Sequence, residues 1–166
     1  LPFEVNKMIS QEGVKDYMKS ICKYSPRDYQ IEGVYDALRH NRRLLISPTA
    51  SGKSLMIYSL VRYHVERGQN TLIVVPTTSL VEQMYKDFAD YGWDVGSFCH
   101  KIYAGRERET DSQVIITTWQ SIYKLPRKYF SRFNVVVGDE AHQFKSKSLI
   151  SIMTKLADAK YRYGFT

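Results

Sequence analysis

SPTASGKS, residues 47–54, follows the apolar run LLIS (44–47) and precedes an amphipathic stretch from Lys53 to Arg67. A Gly-Lys-Ser set between a strand and a helix is the end of a phosphate cradle, Gly-x-x-x-x-Gly-Lys-Ser/Thr. Ser47 holds the first glycine position, and Gly52, Lys53 and Ser54 complete the pattern. The departure at Ser47 is mild, because the later glycine is the one that brings backbone close to a phosphate. The segment Thr49, Ala50, Ser51, Gly52, Lys53 and Ser54 is therefore the expected nucleotide-binding loop. Backbone N–H groups from Ala50 to Ser54 would face the β-phosphate, helped by the positive end of the helix that follows. Lys53 would reach the β- and γ-phosphates and act in catalysis, and the Ser54 hydroxyl would ligate Mg²⁺.

A second segment completes this chemistry. VVVGDEAH, residues 135–142, is an apolar strand that ends in two carboxylates. Asp139 suits the Mg²⁺ partner of a phosphate cradle, usually through water. Glu140 suits the group that positions the attacking water or takes its proton. A solvated acidic loop is the bland alternative, and it weakens once the cradle is present. The implied cofactors are ATP and Mg²⁺.

Working outward, short apolar runs alternate with amphipathic helices. Helical periodicity covers residues 10–24, with Ser10 as N-cap and Val14, Tyr17, Met18 and Ile21 on one face. Pro26 interrupts it, and a second helix runs from Asp28 to His40. After LLIS and the Lys53–Arg67 helix, Gly68 serves as a C-cap. TLIVVP (71–76), a weaker run near Phe98–Tyr103, QVIITT (113–118), NVVVGD (134–139) and YRYGFT (161–166) read as strands. Helices are expected over Ser79–Tyr91, Trp119–Lys124 and Leu149–Leu156. The fold class is α/β: a three-layer arrangement, mainly parallel sheet with helices on both faces, after a short N-terminal helical lead-in. Ligands in such sheets sit at the carboxyl ends of the strands, where both motifs fall.

The chain has 166 residues and a net charge of +7, with 43% hydrophobic and 25% charged residues. That suits one domain with a real core, and the basic balance favours a polyanionic partner, nucleic acid first. Cys22 and Cys99 are the two cysteines, with no ligand spacing around them, which argues against a disulfide scaffold or zinc site. Reduced thiols in a cytoplasmic setting are expected. No apolar run approaches the ~20 residues that span a bilayer, so no membrane partner is expected. The N-terminus LPFEVNKMIS lacks the layout of a signal peptide and does not begin with Met. The expectation is a piece of a longer protein.

Cradle plus Asp-Glu-Ala-His resembles the first motor domain of a superfamily 2 helicase or translocase, which has a RecA-like fold. Further segments agree in order. PRDYQ (26–30) resembles the adenine-recognition segment, which implies that Gln30 reads the adenine edge with Arg27 nearby. IVVPTTSLVEQ (73–83) resembles motif Ia, TTWQSI (117–122) motif Ib and its neighbour, and YGFT (163–166) the start of motif III. The resemblance covers residues 26–166, the expected motor domain, with residues 1–25 as helical lead-in. It implies that His142 and Thr166 couple hydrolysis to movement. It also implies a second RecA-like domain, supplying arginine fingers, elsewhere in the full-length chain; alone, the present segment would hydrolyse ATP poorly.

In relatives, loops at strand ends hold nucleic acid by its backbone. The matching positions are Thr77, Thr78 and Ser79, then Thr117, Thr118, Gln120 and Ser121. Hydroxyls suit phosphate contacts without base readout, although Thr78 and Ser79 equally suit helix capping. Lys101, Arg106, Arg108, Lys124, Arg127, Lys128 and Arg132 add basic charge among Tyr103, Tyr123, Tyr129 and Phe130. Trp119, Tyr123 and Phe130 read as packing. The leading expectation is an ATP-dependent motor acting on branched, forked or single-stranded DNA. A restriction-type translocating motor and an RNA helicase are its alternatives. A P-loop switch lacks its base-reading Asn-Lys-x-Asp, and a non-catalytic DNA-binding module leaves Glu140 without a role.

Overall fold

The computed structural model of the chain describes residues 10–46, 50–103, 110–140 and 147–166. Two helices lead in, α1 (Gln11–Ile21) and α2 (Asp28–Leu38), before strand β1 (Arg42–Leu45). Then follow α3 (Ala50–Val65), β2 (Thr71–Val75), α4 (Thr78–Asp90), the single turn α5 (Val95–Phe98) and β3 (Cys99–Ile102). Strand β4 (Val114–Thr118) leads to the short α6 (Trp119–Ile122) and α7 (Arg127–Phe130), β5 (Val135–Gly138), α8 (Lys147–Lys155) and β6 (Tyr161–Phe165).

The strands form one six-stranded sheet in the order β1-β6-β5-β2-β4-β3. Every pairing is parallel. In a strand, successive side chains point to opposite faces, so an internal strand feeds two cores. Ile73, Val75, Ile116, Val137 and Phe165 enter the core shared with α1 to α4. Leu72, Val74, Ile115 and Val136 enter the other, against Phe130, Phe133, Ile152 and Leu156. This is the expected three-layer architecture. Helix α1 belongs to the first core through Val14 and Met18, both fully buried. Burying each such side chain contributes about 1.5–3 kcal/mol.

Local signals hold where chemistry fixes them. The Ser10 hydroxyl accepts from Gly13 N at 2.9 Å, capping α1. Gly68 adopts φ +74 just past α3, a left-handed position that glycine takes without strain. Boundaries shifted where tertiary contacts decide. The strand expected at 44–47 runs from Arg42 to Leu45, because the ladder with β6 pairs Arg42 with Arg162 and Leu45 with Phe165. As an edge strand it buries only Leu45, which explains why two arginines are tolerated in it. Helix α3 begins at Ala50, not Lys53, so Gly52 and Lys53 lie in its first turn. Helices α1, α2 and α6 stop two or more residues short of the reading, and α8 starts at Lys147. Cys22 and Cys99 are buried free thiols, and burial pushes Cys99 up to about 12. Among the described residues, no helix is long and apolar enough to cross a membrane.

Candidate nucleotide site and nucleic-acid edge

The carboxyl edge of the sheet gathers the expected groups. Strand β1 leads toward the cradle and β5 delivers Asp139 and Glu140, with β6 between them. Lys53 Nζ crosses that gap. It lies 3.2 Å from Asp139 Oδ1 and also donates to Glu140 Oε1. Lys53 is 7% exposed and Asp139 5%, so this ion pair is largely shielded from water. Asp139 is fixed twice: its N–H donates to the Val74 carbonyl at 2.9 Å, and its Oδ1 accepts from Glu140 N at 3.0 Å.

Glu140 has φ +56, the one positive-φ residue besides glycine among the described residues. A non-glycine in that region costs on the order of 1 kcal/mol and marks a turn held by its surroundings. Here the turn sets the Glu140 carboxylate against Lys53. Burial works against the Lys53 ammonium, but hydrogen bonds to both carboxylates and the Asp139 charge outweigh it and raise its pKa. Burial also raises Asp139, with Lys53 pulling the other way. The ammonium, with two carboxylate partners, is the charge that holds.

Beside this ion pair lies a cavity of about 230 Å³, lined by Tyr24, Arg27, Tyr29, Gln30, Gly52, Leu55 and Tyr91 among others. Gln30 is buried and oriented from both ends: its Oε1 accepts from Arg27 N at 2.8 Å, and its Nε2 donates to the Gly52 carbonyl at 3.3 Å. The expected adenine-reading residue is thus tied to the cradle. Gly52 sits under the Tyr29 ring, where an added Cβ would fall 2.9 Å from ring carbons. A helix start carrying Gly52, Lys53 and a serine hydroxyl, with a carboxylate beside the lysine, fits nucleotide phosphates with a hard cation held by oxygen. The Ser54 hydroxyl hydrogen-bonds the Tyr91 hydroxyl.

The nucleic-acid positions occupy neighbouring strand ends, after β2 and β4. Thr77, Thr78 and Ser79 are exposed. Thr77 itself caps α4, accepting from Leu80 N at 3.2 Å, so the cap is neither Thr78 nor Ser79. Thr117 and Thr118 are buried. Thr117 donates to the Thr118 carbonyl at 3.0 Å, and the Thr118 and Ser121 hydroxyls bond each other at 2.8 Å. Gln120 is exposed and reaches the Pro76 carbonyl at 3.5 Å, bridging the two loops. Thr166 N donates to the Leu45 carbonyl at 3.0 Å, joining the end of β6 to the strand before the cradle. Thr49 and His142 lie outside the described residues, as do the side chains of Ala50 and Ser51.

Two of the basic residues are engaged elsewhere. Lys101 pairs with Glu82 at 3.0 Å and lies over the Tyr85 ring. Arg132 donates to the Ser112 carbonyl at 3.3 Å, just before β4 and so at the opposite edge of the sheet. Arg106 and Arg108 fall outside the described residues. Phe130 is buried, with Trp119 and Tyr123 packed against the same core, as their packing reading holds. Sequence reasoning missed Tyr24, Tyr29 and Tyr91 as walls of the cavity. Tyr29 stood inside the adenine segment and could have been found there; Tyr91 carries no local signal.

Comparison with known proteins agrees with this fold. The family model described as type III restriction enzyme, res subunit, matches residues 23–166. The ATP-dependent DNA helicase uvsW of Enterobacteria phage T4 is 36% identical over 95% of this chain and 34% of its own length. The DNA 3'-5' translocase XPB2 of Sulfurisphaera tokodaii is 32% identical over 87% of this chain and 31% of its own. The crystal structure of the UvsW helicase from bacteriophage T4 superposes with a TM-score of 0.85 at 32% identity, covering 94% of this chain and 59% of that one. The chain thus spans about a third of the length of the curated relatives it matches. Parallel sheet, cradle, carboxylate pair and these matches together establish that the chain belongs to the type III restriction enzyme res subunit family, with the RecA-like fold of superfamily 2 helicase motors.

Proposed function

We propose that this chain is the first motor domain, residues 26–166 behind a helical lead-in, of an ATP-dependent DNA helicase acting on branched or forked DNA in recombination, repair or replication. The observation that carries the reading is the buried Lys53 ammonium against both Asp139 and Glu140, beside the cavity that Gln30 and Gly52 line. Relatives named as a DNA helicase and a DNA translocase support DNA as the track. Their greater length supports a second motor domain in the whole protein, and the phage relative supports a cytoplasmic setting.

In this reading Gln30, with Arg27, reads the adenine edge, and backbone N–H groups of residues 50–54 receive the phosphates. Ser54 and Asp139 would hold Mg²⁺, which would supply positive charge against the phosphates. Lys53 exchanges its carboxylate partners for phosphate oxygens. Glu140 is then free to accept the proton of the attacking water, at its Oε1. Thr77, Thr78, Ser79, Gln120 and Ser121 line the strand track, with Thr117 and Thr118 behind them. Thr117 and Thr118 serve it through the loop shape they hold, given their buried hydroxyls. His142 and Thr166 link the two sites.

A second reading, a translocating motor of a restriction-type complex, is favoured by the family description. The test is a pair of assays on the full-length protein: separation of forked duplexes, and displacement of a triplex strand from intact duplex. Strand separation on forks supports the helicase. Triplex displacement without strand separation supports the restriction-type motor and overturns the helicase reading.

A further inference from the structure

We propose that Tyr58 is a positioning residue for the nucleotide: it clamps the end of α1 to the helix that carries the cradle, and so holds residues 22–25 as a wall of the cavity. The inference rests on the nucleotide reading of that cavity. Tyr58 lies in α3 one turn beyond Ser54 and is fully buried. Its hydroxyl donates to the Ile21 carbonyl at 2.6 Å and accepts from Arg62 Nη1 at 2.7 Å. The hydroxyl is thus used both as donor and as acceptor. Its ring packs against Phe88, Tyr91 and Trp93, with centroids 5.4, 5.0 and 5.9 Å away, so three aromatic neighbours fix where the phenol points.

Ile21 is the last residue of α1, and the closing carbonyls of a helix have no partner within it. Cys22, the C-cap, is already extended (φ -136, ψ 137), and Lys23, Tyr24 and Ser25 follow, with no glycine to fold the chain back onto those carbonyls. Tyr58 supplies the missing donor from another helix. The chain then runs along the cavity. Lys23 N donates to the Tyr91 carbonyl at 3.3 Å, Tyr24 and Ser25 line the cavity, and Pro26 leads into the helix that carries Gln30. A second bond ties α1 to the chain just past α3, at the opposite end from Gly52: the Tyr17 hydroxyl donates to Glu66 Oε2 at 3.0 Å. Helix α1 lies before residue 23, where the family match begins, yet through Tyr58 it is a built-in part of the nucleotide site.

The test measures binding of Mg-ADP to full-length protein for wild type, Tyr58→Phe and Tyr17→Phe. Tyr58→Phe keeps the ring, removes the hydroxyl and leaves the wall to be ordered by the nucleotide itself. Its Kd for ADP is expected to rise about fivefold, the worth of one hydrogen bond. Tyr17→Phe cuts the tie away from the cavity and is expected to leave that Kd unchanged. A residue that only supports the fold would lower the urea midpoint and leave the Kd of the folded protein unmoved. A second measurement needs no variant: in wild type, ADP is expected to slow amide exchange at residues 22–25 together with residues 52–56. This arm stands even where Tyr58→Phe fails to fold. An unchanged Kd in Tyr58→Phe, an equal rise in Tyr17→Phe, or slowing at 52–56 without slowing at 22–25 overturns the proposal. Wild type that binds no ADP overturns the nucleotide reading itself, which separates the two failures.

Discussion

Lys53 Nζ, in the first turn of α3, lies 3.2 Å from Asp139 Oδ1 at the tip of β5. Two motifs distant in sequence meet there through one ammonium group. Truncating it leaves Asp139 buried without its cation. Lys53→Ala is expected to abolish ATP turnover of the full-length protein, by at least about a thousandfold. It should also cost about 1–3 kcal/mol of stability at neutral pH in urea unfolding, and less at acid pH as Asp139 protonates. Unchanged turnover would sink the cradle assignment.

Glu140 holds a positive-φ turn that sets its carboxylate against Lys53. Glu140→Gln keeps the shape and a hydrogen bond to the neighbourhood but removes the base. Turnover should fall about 10²- to 10⁴-fold while nucleotide binding stays within a few-fold, read by single-turnover hydrolysis beside equilibrium binding. Retained hydrolysis would return Glu140 to a purely structural role.

Gln30 is positioned by Arg27 N and the Gly52 carbonyl, with its amide in the cavity wall. If it reads adenine, Gln30→Ala should narrow the preference for ATP over GTP in kcat/KM by about tenfold. Equal loss for both nucleotides would mean that Gln30 supports the cradle and reads no base.

His64 offers a pH test independent of the chemistry. It is 2% exposed, its Nδ1 donates to Gln69 Oε1 at 2.6 Å, and its Nε2 accepts from the Tyr163 hydroxyl at 3.1 Å. Burial lowers its pKa from 6.5 to about 4. Between those values the unfolded chain takes up the proton first, so stability is intact above pH 6.5 and falls as pH drops toward 4. The loss at pH 5 relative to pH 8 is about 2 kcal/mol. Asp139, raised by burial, contributes in the opposite sense. The His64 part is therefore read as the difference in urea midpoint between wild type and His64→Gln. Identical pH slopes in the two proteins would contradict it.

The sheet and the ATP site were legible because their signals are local. VVV before Gly138 and the five-residue run Thr71–Val75 could bury on both faces, which parallel strands require. Gly52, Lys53 and Ser54 announce themselves by spacing alone. Strand β1 was misplaced by two residues because an edge strand takes its register from its partner β6, which lies far along the sequence. Tyr91 and His64 stayed hidden for the same reason. Their partners, Ser54 and Tyr163, become neighbours only when α3 packs beside α4 on the sheet. The track residues divide likewise: a helix start near Thr77 to Ser79 was readable locally, while burial of Thr117 depends on β4 being internal.

The measurement that bears most directly on the proposed motor is steady-state ATPase of the full-length protein at one fixed salt. Its four conditions are no nucleic acid, single-stranded DNA, forked DNA and matched RNA. The fixed salt matters because backbone contacts weaken steeply as salt rises. Strong stimulation by forked DNA, above single strands and well above RNA, is the predicted result. Stimulation by RNA alone, or by none of the three nucleic acids, would contradict a DNA-remodelling motor.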